Sequence, residues 1–181
     1  NIIATPGGTG AISSTITNLA NKGETILIPN IAWSSYFLMA KEFGLIARTY
    51  PLFTDNQFDI SSLKELVLET LKTQDQVILI INDPCHNPTG YTMTDVEWKE
   101  LIDIINEISN DGTPVILLHD MAYIDYDYRG FDVTRENMRL YQTLNESVLV
   151  VMAFSGSKTL ALYGVRIGAQ VAISKSKENI D

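Results

Sequence analysis

The chain has 181 residues, 45% of them hydrophobic, which is enough to bury one sizeable core, so a single domain is expected over residues 1–181. It carries 22 acidic against 13 basic residues, a formal net charge of −9, and the basic residues are scattered. Nucleic-acid backbones and anionic membrane surfaces call for a basic stripe, so neither is expected as a partner. One cysteine, Cys85, excludes an internal disulfide and fits a reducing, cytoplasmic setting, and no stretch is as long and apolar as a membrane span.

In chain order, Ile2-Ile3-Ala4 reads as the tail of a strand. With no initiator Met before it and an abrupt stop at Asp181, the expectation is a piece of a longer protein. A Gly-rich loop follows, then a helix from about Gly10 to Asn21. A strand is predicted at Thr25 to Pro29, a helix at Trp33 to Phe43 stopped by Gly44, and a strand at Leu45 to Tyr50. The next helix is placed after Ser62, with Glu65 three residues on and Leu63, Leu66, Val67 and Leu71 along one face. After a strand at Gln76 to Asn82, Thr94 and Glu97 have the spacing of a capping box, and Leu101, Ile104, Ile105 and Ile108 share one helical face up to Asn110-Asp111-Gly112. Strands at Val115 to Asp120, Ser147 to Phe154 and Arg166 to Ile173 complete the pattern. The runs Val77 to Ile81 and Val148 to Val151 are apolar on both faces, as in the middle of a parallel sheet covered on both sides. The fold class that follows is α/β, three layers with a mostly parallel central sheet.

Ligands in such sheets sit outside the carboxyl ends of the strands, so the polar residues at those ends carry the functional reading. Thr5-Pro6-Gly7-Gly8-Thr9-Gly10, before a helix, is either a tight turn or a cup for an anion; it has neither the Lys of a nucleotide loop nor the third spaced Gly of a dinucleotide fingerprint. Asp83-Pro84-Cys85-His86-Asn87-Pro88-Thr89-Gly90 is a rigid turn that either folds Asn87 onto its own backbone or aims its amide at a ligand. Asp120 ends an apolar strand, with Tyr123 three residues on. A carboxylate there requires a cation, which a protonated ring nitrogen would supply, while the nearby donors form no recognised metal-ligand spacing. His119 alternates away from Asp120 and reads as a core histidine, and His86 as structural. Lys158 follows a buried strand and the small residues Ser155-Gly156-Ser157. It is either a surface lysine or a desolvated amine of lowered pKa, with Arg166 eight residues beyond as an ion-pair partner or a fork for phosphate. Trp33, after Pro29-Asn30, is core or a stacking surface for a flat ligand. Each feature alone is weak. An anion cup, a stacking aromatic, an amide and a phenol, a carboxylate and a lysine together describe pyridoxal 5'-phosphate.

At this point the sequence resembles the fold-type I, pyridoxal-phosphate-dependent class I aminotransferases, nearest in pattern to the aspartate and aromatic branch, across essentially the whole chain. The resemblance rests on Thr5-Pro-Gly-Gly-Thr-Gly-Ala11, Pro29 with Trp33, Cys85-His-Asn-Pro-Thr-Gly90, Asp120-Met-Ala-Tyr123, and Ser155-Gly-Ser-Lys158 with Arg166 and Gly168. It implies that Lys158 holds the cofactor covalently and then shuttles the substrate proton, and that Asp120 keeps the ring nitrogen protonated. It further implies that Asn87 and Tyr123 bond the ring oxygen, that Trp33 stacks on the ring, and that Gly8, Thr9, Ser155 and Arg166 hold the phosphate. Where the aspartate branch has a histidine shortly after the tryptophan, this chain has Tyr36. The resemblance implies amino acid and 2-oxo acid substrates and a homodimer of the full-length protein. The small domain, the N-terminal arm and the arginines that grip substrate carboxylates would lie outside residues 1–181, leaving this piece folded but inactive. A carbon–sulfur lyase, or an aminotransferase-like sensor domain of a transcription regulator, would use an overlapping set of residues.

Overall fold

A computed structural model describes residues 1–130 and 132–180. Among the described residues there are nine strands: β1 (Ile2–Thr5), β2 (Thr25–Pro29), β3 (Ile46–Tyr50), β4 (Phe53–Thr54), β5 (Gln57–Phe58), β6 (Val77–Asn82), β7 (Val115–Asp120), β8 (Val148–Ser155) and β9 (Gly168–Ile173). The α-helices among the described residues are α1 (Gly7–Leu19), α2 (Ser35–Glu42), α3 (Ile60–Thr70), α4 (Asp95–Ile108), α5 (Val133–Asn137) and α6 (Gly156–Thr159). Seven strands form one sheet in the order β1-β9-β8-β7-β6-β2-β3, with β4 and β5 making a separate small hairpin. From β8 through β7, β6 and β2 to β3 every pairing is parallel, and only β9 runs antiparallel to its two neighbours.

The period-2 alternation of the central strands divides their side chains between two cores. Ile26, Ile28, Ile78, Ile80, Leu118 and Val151 face α1 and α2, where Ile12, Ile16 and Met39 meet them. Leu27, Leu79, Leu117 and Val150 face the other way, onto Leu63 and Val67 of α3 and Trp98, Leu101 and Ile105 of α4. A sheet buried on both faces between helices is the three-layer arrangement expected from the apolar runs. It also explains why those strands need no polar residues until their carboxyl ends.

The expected capping box is present: the Thr94 hydroxyl accepts from the Glu97 N–H at 3.2 Å, and the Glu97 carboxylate accepts from the Thr94 N–H at 2.7 Å. Other boundaries differ from the sequence reading. α3 is capped by Asp59, not Ser62. The Asp59 carboxylate accepts the Ser62 N–H at 2.9 Å and hydroxyl at 2.8 Å, because a carboxylate satisfies several donors of the first turn at once. α1 begins at Gly7 rather than Gly10, so the glycines form a helical first turn instead of a free loop. β9 begins at Gly168, since Arg166 takes a left-handed backbone conformation (φ 53°) that a strand does not accommodate. The β4–β5 hairpin was not anticipated; Asp55 and Asn56 both turn at positive φ there.

Candidate active site

The carboxyl ends of β2, β6, β7 and β8 lie side by side, and the sheet register sets Asn82, Asp120 and Ala153 in one row. A cavity of about 200 Å³ opens there, and every residue singled out for cofactor binding lines it. Gly8 and Thr9 come from the start of α1, Trp33 from the segment before α2, and Asn87 from the loop after β6. Asp120 and Ser155 end their strands, Tyr123 follows β7, Lys158 sits on α6, and Arg166 comes from the turn before β9.

One end of the cavity has the features that an anion would need. α1 is thirteen residues long, has no acidic residue in its first turn and no side-chain cap, so its leading amides and the positive end of its dipole stay available. Gly7 has φ +75°, and a Cβ on it would lie 2.6 Å from Arg166 Nη2. A Cβ on Gly8 would lie 3.1 Å from Ser155 Cβ. Glycine suits both positions, Gly7 because its backbone is left-handed and Gly8 because a Cβ would crowd Ser155. Arg166 Nη1 donates to Ser157 Oγ at 3.1 Å and to the Tyr163 carbonyl at 3.3 Å, which fixes the guanidinium beside the helix end.

Asp120 forms the floor and is 5% exposed. Its Oδ1 accepts from the Ala122 N–H at 3.1 Å and its Oδ2 from the Tyr36 hydroxyl. Burial raises its pKa above the usual carboxylate range, against the pull of these two donors. Both donors are neutral, so the cation that the sequence reading called for is not among them. Asn82, which that reading passed over, ties the floor to the wall: its Nδ2 donates to the Asp120 carbonyl at 3.0 Å and its Oδ1 accepts from the Asn87 N–H at 2.7 Å. Asn87 lines the cavity.

Lys158 is half-buried, with Nζ 5.4 Å from the Tyr123 ring centre and 4.8 Å from that of Tyr163. Its carbonyl accepts from the Tyr126 hydroxyl at 2.9 Å, and the Thr159 hydroxyl donates to Asp125 at 2.5 Å. These contacts hold α6 against the segment after β7. Trp33 meets Tyr36 edge-on, with ring centres 5.4 Å apart and planes at 85°. Beyond Asn82, sequence reasoning missed Ser157 and Tyr163, which also line the cavity. Both lie in the segment around Lys158, but neither residue type announced a role at that spacing.

The two histidines stand as the sequence suggested. His119 is 1% exposed; its Nε2 donates to the Asp83 carbonyl at 2.8 Å, which leaves Nδ1 to accept from the Tyr141 hydroxyl at 2.5 Å. Burial pulls its pKa down to about 4. His86 is buried under the Asn87 loop beside Thr89 Oγ1, 2.9 Å away. Among the described residues no group of three or more His, Cys, Asp and Glu could hold a metal ion, and no helix is long and apolar enough to cross a membrane.

Known proteins share this architecture. The tyrosine aminotransferase of Rhizobium meliloti (strain 1021) is 30% identical over 183 residues, covering 99% of this chain and 44% of that protein. The aspartate aminotransferase of Escherichia coli (strain K12) is 26% identical over 179 residues, covering 98% and 43%. Among solved structures, an aminotransferase from Anaerococcus prevotii DSM 20548 superposes with a TM-score of 0.95 at 38% identity, covering 99% of this chain and 44% of that one. The chain thus spans less than half the length of these relatives. The model of the aminotransferase class I and II family matches residues 1–180, and the chain belongs to that family.

Proposed function

We propose that this chain is the cofactor-holding part of a pyridoxal-phosphate-dependent enzyme that moves an amino group between an L-amino acid and a 2-oxo acid. One observation carries the reading: a single cavity sets an uncapped helix end with Arg166, the buried Asp120 carboxylate and the Lys158 amine around one space. Those three groups match the three chemically distinct parts of the cofactor, its phosphate, its ring nitrogen and its aldehyde. The donor set therefore fits it.

When bound, pyridoxal phosphate supplies a conjugated ring that accepts the electron pair left when the substrate Cα–H bond breaks. Arg166, Ser155 and the Gly8 and Thr9 amides would hold the phosphate, and Trp33 would cover the ring. Asp120 would accept a hydrogen bond from the ring N–H, a charge pairing strengthened by the dry floor. The Asn87 amide and the Tyr123 hydroxyl would donate to the ring oxygen. The Lys158 amine would hold the aldehyde carbon and would carry the proton at the substrate Cα.

The same proposal carries a homodimer of the full-length protein and a cytoplasmic setting, the latter in keeping with the free Cys85. The relatives' names, tyrosine and aspartate aminotransferase, favour amino transfer over lyase or sensor roles. Borohydride reduction of the full-length protein loaded with pyridoxal phosphate, followed by peptide mass mapping, is expected to leave the pyridoxyl group on Lys158. A label on Lys22 or Lys175 would overturn the assignment, and a panel of amino donors and 2-oxo acids tests the transfer itself.

A further inference from the structure

Tyr36 is the fully buried residue at the start of α2, 0% exposed, and its hydroxyl reaches down to Asp120 Oδ2. Nothing about phenols in general requires this. A tyrosine on an inward helical face is ordinarily core, with its hydroxyl led to a backbone carbonyl, as Tyr50 does with Ile80 at 3.1 Å. Here the hydroxyl ends instead on the one carboxylate that floors the cavity. The ring is held in that pose on both sides. Ile12, Ile16, Ile28 and Met39 belong to the same packed cluster, and the edge-on contact with Trp33 fixes the ring plane. Asp120 is equally constrained, its backbone by the Asn82 amide and its Oδ1 by the Ala122 N–H.

A buried carboxylate that serves as the partner of a cationic ring nitrogen must keep its charge while it sits in a medium that disfavours charge. Each hydrogen bond donated to the carboxylate helps it do so. Of the two donors, the Ala122 N–H belongs to the backbone and would be supplied by almost any sequence. The Tyr36 hydroxyl is the one the sequence chooses. We propose that Tyr36 is a positioning residue that acts through Asp120: by donating to Oδ2 it keeps the carboxylate ionised and aimed at the cofactor's ring nitrogen. This rests on the reading of the cavity as a pyridoxal phosphate site. Burial, with the Asp120 carboxylate beside it, pushes the Tyr36 phenol well above its ordinary range, which favours the protonated, donating form. Tyr36 is not among the residues that line the cavity, so its hydroxyl acts on the site through Asp120.

The test separates an effect on the ring nitrogen from general damage to the site. Full-length protein and its Tyr36→Phe variant are titrated with pyridoxal phosphate and with the analogue whose ring nitrogen is replaced by C–H. The expected result is a loss of about tenfold in pyridoxal phosphate affinity, the scale of one hydrogen bond to a charged group, with the analogue's affinity unchanged. Equal losses for the two ligands would mean that Tyr36 only supports the packing, and would overturn the proposal. Leaving one buried partner stranded is costly, so the pair Asp120→Ala and Tyr36→Phe/Asp120→Ala gives a second measurement in which no carboxylate is left behind. With Asp120 gone, removing the Tyr36 hydroxyl is expected to cost no further pyridoxal phosphate affinity; a further loss of tenfold would again overturn it. If the unaltered full-length protein takes up no pyridoxal phosphate, the functional reading itself falls, an outcome distinct from either result above.

Discussion

Gly168 offers the sharpest test of how the anion site is built. It opens β9 and pairs with Thr5 on one side and Ser155 on the other, so it is wedged between the strand that leads into α1 and the strand that leads to Lys158. A Cβ placed on it would lie 2.5 Å from the Gly7 carbonyl carbon, 2.5 Å from the Phe154 oxygen and 2.8 Å from the Gly7 Cα. All three obstacles are backbone. Ordinary contact begins near 3.4 Å, so Gly168→Ala forces the strands apart by about 1 Å at the point where the helix end is set against Arg166. Overpacking of this kind costs about 1–3 kcal/mol, and with no flexible side chain to yield the upper end is expected. For a domain of this size about 3 kcal/mol lowers the melting temperature by roughly 6–12 °C. Gly164 is the internal control, with nothing within 4 Å of its added Cβ, and Gly164→Ala is expected to change stability by less than about 0.5 kcal/mol. Urea titration of the two variants measures the difference, and pyridoxal phosphate titration is expected to show weakened binding only for Gly168→Ala. If the two alanine variants are equally stable and bind equally, the close approach of β9 to the helix end is not what shapes the site.

Two further outcomes follow from the same geometry. Arg166→Lys keeps the charge but loses the planar fork held by Ser157 and Tyr163, so pyridoxal phosphate affinity is expected to fall by about tenfold; equal affinity in titration would count against the fork. His119 has its folded pKa depressed to about 4, below the ordinary 6.5, so the unfolded chain binds more protons between these values and stability is lost as pH falls from about 6.5 through 4. Proton NMR should find its imidazole neutral over the upper part of that window with a midpoint near about 4, and a midpoint near 6.5 would refute the buried, carbonyl-bonded assignment.

The central strands were legible because burial on both faces leaves little choice of residue: Val77 to Ile81 and Val148 to Val151 could hardly be anything but interior. The start of α4 was legible because its two capping side chains are local in sequence. Boundaries failed where a stronger, less local interaction decided them. Asp59 outcompetes Ser62 because its carboxylate also accepts the Thr54 hydroxyl, at 2.5 Å, across the β4–β5 hairpin. Gly7, Gly8 and Gly10 have poor helix propensity, and their places in α1 are crowded: a Cβ on Gly7 would meet Arg166, one on Gly8 Ser155, and one on Gly10 Pro6.

The site shows the same division more sharply. Residues whose types are chemically loud at strand ends, such as Asp120, Lys158 and Asn87, could be picked out by position alone. Asn82 could not, and Tyr36 stood out only through the family resemblance, because their local patterns belong to core. Asn82 continues the apolar run of β6, and Tyr36 sits on the buried face of α2 between Trp33 and Met39. Each acquires its polar partner only when β7 is laid beside β6 and α2 is packed across the sheet, through contacts 38 and 84 residues apart in sequence. Most of the polar side chains that line the cavity can therefore be read along the chain, while those that hydrogen-bond to them from behind are fixed by tertiary packing. Asp120 shows why the second set matters: its sequence neighbours account for one donor to its carboxylate, and the other comes from a helix that no local pattern connects to it.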